Sequence, residues 1–191
     1  MNNFEKEQLE ILKLTDEVRH DQNINKWEKH SRYVDIVKNF LERYIPSNLQ
    51  LVKYSHIEGL PEQKYHLIMI RKDAKSKTQE KIPRYDLKSV AAIIEIRGSS
   101  LVSLASYEGK FEEDIKTRKT LSKQTAGRHS NIKWLYLALR EREKTKREYV
   151  CNYVKLCKER LGQDFFYLRE TTTKKTIQGE WKRFVKALLD P

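Results

Sequence analysis

Apolar residues recur with a helical period at the two ends of the chain, and in the middle they alternate or run together. Ile11, Leu14 and Val18 at i, i+3 and i+7 predict a helix over residues 3–20. The polar stretch 20–26 (HDQNINK) breaks that pattern. Tyr33, Val37, Phe40, Leu41 and Tyr44 then predict a second helix over about 27–44, closed by Pro46 and Ser47. Residues 49–57 (LQLVKYSHI) read as a strand, with Gly59-Leu60-Pro61 as the turn after it. Residues 65–71 (YHLIMIR) alternate as a second strand, with His66, Ile68 and Ile70 on one face and Tyr65, Leu67 and Met69 on the other.

The charged stretch 72–88, which contains Pro83, reads as a long hairpin loop. Residues 89–100 (SVAAIIEIRGSS) follow, and the nearly unbroken run Val90, Ala91, Ala92, Ile93, Ile94 and Ile96 is that of a strand covered on both faces. Beyond Gly98, residues 110–123 are helix-like and basic, and Gly127 closes them. An apolar strand is expected over 132–139. A long helix is expected over 141–161, with Val150, Tyr153, Val154, Cys157 and Leu161 on one stripe and Gly162 past its end. A short strand (164–168) and an amphipathic helix bearing Trp181, Phe184, Val185 and Leu188 finish the chain. The order α-α-β-β-β-α-β-α-β-α predicts an α/β layered domain, antiparallel early and joined by helix crossovers later. No repeat, low-complexity tract or dividing linker interrupts it. The expectation is one domain over 1–191: a helical extension (1–26), a core (27–140), and a helix-strand-helix segment (141–191) completing a mixed sheet of about five strands flanked by helices.

Composition narrows the partners. Of the 191 residues, 38% are hydrophobic and 35% charged, enough apolar material for a real core, which argues against wholesale disorder. Neither a bilayer-length apolar run nor a secretory leader is present, so a cytoplasmic protein without membrane association is expected. Cys151 and Cys157, six apart on one predicted helix, support neither a disulfide framework nor a cysteine zinc site. The formal net charge of +12 favours a polyanionic partner, most commonly nucleic acid, although a lysine-rich surface also follows from biased genome composition. Basic residues gather at 116–123, 140–147 and 169–183. The middle run alternates in sign and reads as a solvated face. The first, with Lys116, Arg118, Lys119 and Lys123, is more nearly one-signed.

Candidate chemistry centres on the end of the 89–100 strand. Glu95 and Arg97 are two apart, so they emerge on one face beside Ala91 and Ile93. Ionised groups at the end of a core strand are costly unless they are solvated, paired, or bound to a metal or phosphate. Two readings follow: the pair meets water past the core, or it belongs to a site. Elsewhere the residues exclude more than they suggest. The segment GRHSN (127–131) has no second histidine at ligand spacing, and neither a phosphate-cradling glycine loop nor Gly-x-Ser-x-Gly is present.

The apolar strand ending VAAIIEIR, with a helix and hairpin strand before it and a crossover helix and strand after it, resembles the PD-(D/E)XK nuclease superfamily across about residues 27–140. The later strand and closing helix look similar to a branch found in bacterial and phage defence. The resemblance implies a restriction-endonuclease-like fold and assigns Glu95 to the family's metal-binding acid, Arg97 to its lysine and His66 to its aspartate, the principal metal ligand. Asp35 or Glu42 falls near a helix acid used by some members, while Asp86 or Asp73 is a substitute for the missing acid. In a nuclease-like fold Lys116, Arg118, Lys119 and Lys123 would lie beside the site, where they could follow a phosphate backbone without reading bases. Two of the three core positions depart from the family pattern. Mg²⁺ prefers carboxylates and water, whereas imidazole suits Mn²⁺, Zn²⁺ or Ni²⁺. Arginine stays protonated and can hold a phosphate but hardly act as a base. The leading expectation is therefore a nuclease-like domain that binds nucleic acid, DNA ahead of RNA, with weak or absent metal-dependent cleavage. It could work as a homodimer or with a defence-system partner protein. The alternatives are an active, divergent Mg²⁺/Mn²⁺-dependent endonuclease using His66, Glu95 and Asp86, and a protein-binding adaptor with a basic face.

Overall fold

The computed structural model describes residues 2–60, 62–77, 82–98, 132–139, 164–169 and 176–190. Helices α1 (Asn3–His20) and α2 (Lys26–Leu41) precede strands β1 (Leu49–Ile57), β2 (Tyr65–Arg71), β3 (Arg84–Tyr85) and β4 (Val90–Arg97). Strands β5 (Lys133–Ala138) and β6 (Asp164–Tyr167) and helix α3 (Glu180–Leu189) follow. Six strands form one sheet in the order β3-β1-β2-β4-β5-β6. β1–β2 and β2–β4 pair antiparallel, while β4–β5 and β5–β6 are parallel. The expected mixed sheet is therefore present, antiparallel early and parallel later. The helices expected over 110–123 and 141–161 lie outside the described residues.

Both long N-terminal helices begin at asparagine caps. Asn2 and Glu5 form a reciprocal capping box on α1, and the Asn25 side chain accepts from the amides of Trp27 and Glu28 on α2. The second helix ends at Leu41 rather than near residue 44. There the Tyr44 amide donates back to the Leu41 carbonyl (2.9 Å), a tight turn that carries the Tyr44 ring onto Phe4, 5.2 Å between centroids. The stretch 72–88 is more than a loop. Arg84–Tyr85 pairs in parallel with His56–Ile57, which brings the strand count to six. The short 3₁₀ turn Leu87–Ser89 follows, with the Asp86 carboxylate accepting from the Lys88 amide at 2.8 Å. Burial of Tyr85 and Leu87 holds this segment down, and two residues are too few to show a strand period.

The sheet is covered on both faces. Ile11 and Leu12 of α1, Val34, Val37, Phe40 and Leu41 of α2, and Trp181, Phe184, Val185 and Leu188 of α3 pack on Leu67, Met69, Ala92, Ile94, Ile96, Leu135, Leu137 and Phe166. Ile68, Ile70, Val90, Ile93 and Trp134 belong to a second cluster with Ile57, Tyr65, Tyr85 and Leu87. β4 thus buries side chains of both parities, as its unbroken apolar run requires; each full burial is worth about 1.5–3 kcal/mol. α1, drawn above as an extension, is built into this core. Its buried Glu7 accepts from the Tyr44 hydroxyl (2.5 Å), Trp181 Nε1 (3.0 Å) and Arg43 Nη1 (3.1 Å). Gln8 Nε2 donates to the carbonyls of Leu168 (3.0 Å) and Ile177 (2.7 Å), and its Oε1 accepts from the Trp181 amide (3.1 Å). These bonds tie α1 to α3 and the end of β6. No helix among the described residues is long and apolar enough to cross a membrane.

Candidate functional site

Strand register brings the candidate residues together. Leu67 pairs with Ile94 across β2–β4, which sets His66 opposite Glu95. His66 Nδ1 lies 2.8 Å from Glu95 Oε2, with the two side chains only 14% and 12% exposed. The same Nδ1 lies 3.1 Å from the Ile96 amide, whose N–H can only donate. Arg97, two residues on from Glu95, pairs with Ala138 of β5, and Glu95 itself pairs with Tyr136. Burial holds the Tyr136 hydroxyl well above its ordinary pKa of 10.0; the Arg97 cation beside it works in the opposite direction. His66, Glu95 and Arg97 therefore share one end of the central strands.

Two residues not singled out from the sequence complete this cluster. His30, in the second turn of α2, lies against His66, 4.4 Å between ring centroids with the rings tilted 55° to each other. Its Nε2 is 3.1 Å from the Ile96 carbonyl, which can only accept, so the proton of neutral His30 sits on Nε2. Nδ1 then receives the Tyr54 hydroxyl at 3.3 Å. Burial is the main reason that the His30 pKa falls from 6.5 to about 4; His66 and Arg97 add to the fall, and the Ile96 carbonyl and Glu95 oppose it. Tyr54 presents its ring from β1 with φ 48°, a left-handed conformation unusual for a tyrosine inside a strand. Holding such a residue costs about 1–3 kcal/mol. Immediately after Arg97, Gly98 leaves room for the Tyr33 ring of α2: a Cβ there would come 2.2 Å from Tyr33 Cε2. Helix α2 and the end of β4 meet through these side chains.

The remaining candidates are placed elsewhere. Asp86 caps the turn before β4, and Glu95 lies about 17 Å along that strand from its first residue, at a strand's usual rise. Asp73 is exposed and lies 3.5 Å from Arg71. Asp35 pairs with Lys53, and Glu42 with Lys38 one helical turn away. None of these four carboxylates joins Glu95. Lys116, Arg118, Lys119 and Lys123 lie outside the described residues. His30 did carry a signal in the sequence, since it precedes Val34 and Val37 by four and seven positions on the buried face of α2.

The donor set is a poor match for Mg²⁺. Among the described residues no three His, Cys, Asp or Glu side chains gather where they could hold a metal ion. Among the described residues Glu95 is the one carboxylate of the cluster, the near nitrogen of His66 faces it, and both nitrogens of His30 are engaged. What the described residues offer instead is a carboxylate facing an imidazole, with a guanidinium two residues further along the same strand.

No family model matches the chain, and no curated protein matches it in sequence. The fold, a mixed sheet flanked by helices, by contrast has clear counterparts among solved structures. The particular structures it resembles are of NucC. The cAAA-bound form from P. aeruginosa ATCC27853 has a TM-score of 0.59 at 13% identity, over 78% of this chain and 69% of that one. The cAAA-bound form from E. coli MS115-1 has a TM-score of 0.58 at 12% identity, over 80% of this chain and 68% of that one. At such identity the likeness is one of fold, and function rests on the site.

Proposed function

We propose that this chain is a nuclease-like defence protein that binds nucleic acid, DNA ahead of RNA, and whose metal-dependent phosphodiester cleavage is weak or absent. NucC, a phage-defence nuclease of the PD-(D/E)XK type, supports the nuclease-like and defence parts of this reading. The net charge of +12 supports a polyanionic partner. The observation that carries the loss of cleavage is the 2.8 Å approach of His66 Nδ1 to Glu95 Oε2, in the place where the family resemblance calls for a second carboxylate. Among the described residues Glu95 faces an imidazole, with Arg97 two positions along its strand, a donor set that suits Mg²⁺ poorly. Arg97 can hold a phosphate, yet it cannot take a proton from water at usable pH. In this reading the protein works in the cytoplasm, as a homodimer or beside another protein of a defence system.

Binding and cleavage are tested together. Labelled DNA and RNA at about 50 mM salt should bind, with affinity falling steeply as salt rises. Plasmid incubated with Mg²⁺ and then Mn²⁺ should remain essentially uncut. Rapid cutting that disappears in Glu95→Ala would replace this reading by that of an active endonuclease. Absence of binding to any nucleic acid would favour a basic adaptor for an acidic protein.

A further inference from the structure

Trp27 is 84% exposed, whereas Trp134 and Trp181, the other two tryptophans, are 2% and 0% exposed. Among the described residues the other exposed large apolar side chains, Leu9 (44%) and Leu189 (36%), are far less open to water. Trp27 is also well anchored at its base: the Asn25 cap takes its amide at 2.9 Å, in the first turn of α2. Residues three and four apart are neighbours on a helix surface. Counting from Trp27, these are His30, in ring contact with His66, and Ser31, bonded to the Tyr54 hydroxyl. The indole therefore stands one helical turn out from two residues that enter the Glu95 cluster. Lys26 and Lys29 flank it, with Arg32 on the next turn; Arg32 is paired with Glu28 and Asp21, and Lys29 donates to the Arg19 carbonyl.

We infer that Trp27 is a base-stacking contact, at the rim of the site, for an unpaired nucleobase of a bound nucleic-acid strand. This rests on the nucleic-acid-binding reading above. An aromatic face stacks on any base, which makes such a contact sequence-tolerant. The +12 net charge favours a polyanionic strand over an acidic patch of limited size, and a duplex presents no unstacked base to the indole.

The burial of the other two tryptophans makes the test direct. Emission from the free protein should contain a red-shifted component, quenchable by acrylamide, that Trp27→Phe removes. Titration with an oligothymidylate at about 50 mM salt should quench that component, and Trp27→Ala should bind about tenfold more weakly while Trp27→Phe keeps part of the affinity. A duplex of the same length should quench less. Binding by the wild type with no quenching, or equal affinity in Trp27→Ala, overturns the stacking role and leaves the nucleic-acid reading standing. No binding by the wild type refutes that reading and the stacking role with it. A concentration-dependent blue shift without nucleic acid would assign the indole to contact between copies of the chain, and would also overturn it.

Discussion

Protonation of His30 should loosen the joint between α2 and the end of β4. Its folded pKa of about 4 lies below the ordinary 6.5, so the neutral ring is favoured in the native state. The unfolded chain therefore binds the extra proton first as pH falls. The contribution of His30 is fully present above pH 6.5 and is lost on the way down to about pH 4. The span between the two values corresponds to at most about 3 kcal/mol, of which about 2 is lost by pH 5. Solvent contact of the partly exposed ring lowers both figures. The perturbation is His30→Gln, which can still donate to the Ile96 carbonyl and accept from Tyr54 but does not titrate. Urea unfolding of wild type and variant at pH 7.5 and 5.0 is the assay. Glu95, His66 and Arg97 face position 30 in both proteins, so the difference between them reports the ring itself. The wild type should lose about 1–2 kcal/mol more than the variant between the two pH values. Parallel pH profiles, or a His30 ring resonance titrating near pH 6.5 by NMR, would refute the reasoning.

Three further outcomes follow from contacts elsewhere. Gly98→Ala places a Cβ 2.2 Å from Tyr33 Cε2 and should cost about 1–3 kcal/mol in thermal or urea unfolding, with Tyr33→Leu recovering part of the loss. Glu7→Ala deprives the Tyr44 hydroxyl and Trp181 Nε1 of their shared acceptor, so a loss of about 3 kcal/mol is expected, and a smaller one for Glu7→Gln. His66→Asp sets a second carboxylate opposite Glu95. Calorimetry should show a stoichiometric Mn²⁺ site that the wild type lacks, and its absence would argue against reading His66 as standing where a metal-binding acid could stand.

Much of the fold was legible because it is written in side-chain periodicity. The unbroken run in β4 required burial on both faces, and the two core clusters provide it with Ala92, Ile94 and Ile96 on one side and Val90 and Ile93 on the other. Alternation alone set Glu95 and Arg97 on one face, and the hairpin register then brought His66 to Glu95. What the pattern could not express was set by tertiary contact. β3 is two residues long and owes its position to pairing with β1. The place of α1 in the core depends on Glu7 and Gln8, polar residues whose partners lie near residue 44 and in the region 168–181. His30 joins the cluster through the packing of α2 on the sheet, its helical spacing marking no more than the buried face, and Tyr54 joins it through a positive φ that no local pattern announces.

Whether Glu95 faces a metal ion or the Arg97 cation is the central question for the proposed function. Isothermal titration of Mg²⁺ and Mn²⁺ into wild type and Glu95→Ala measures it most directly. If Arg97 is the resident cation beside Glu95, the two proteins give indistinguishable titrations with no stoichiometric site. Stoichiometric binding in the wild type that vanishes in Glu95→Ala would contradict that assignment.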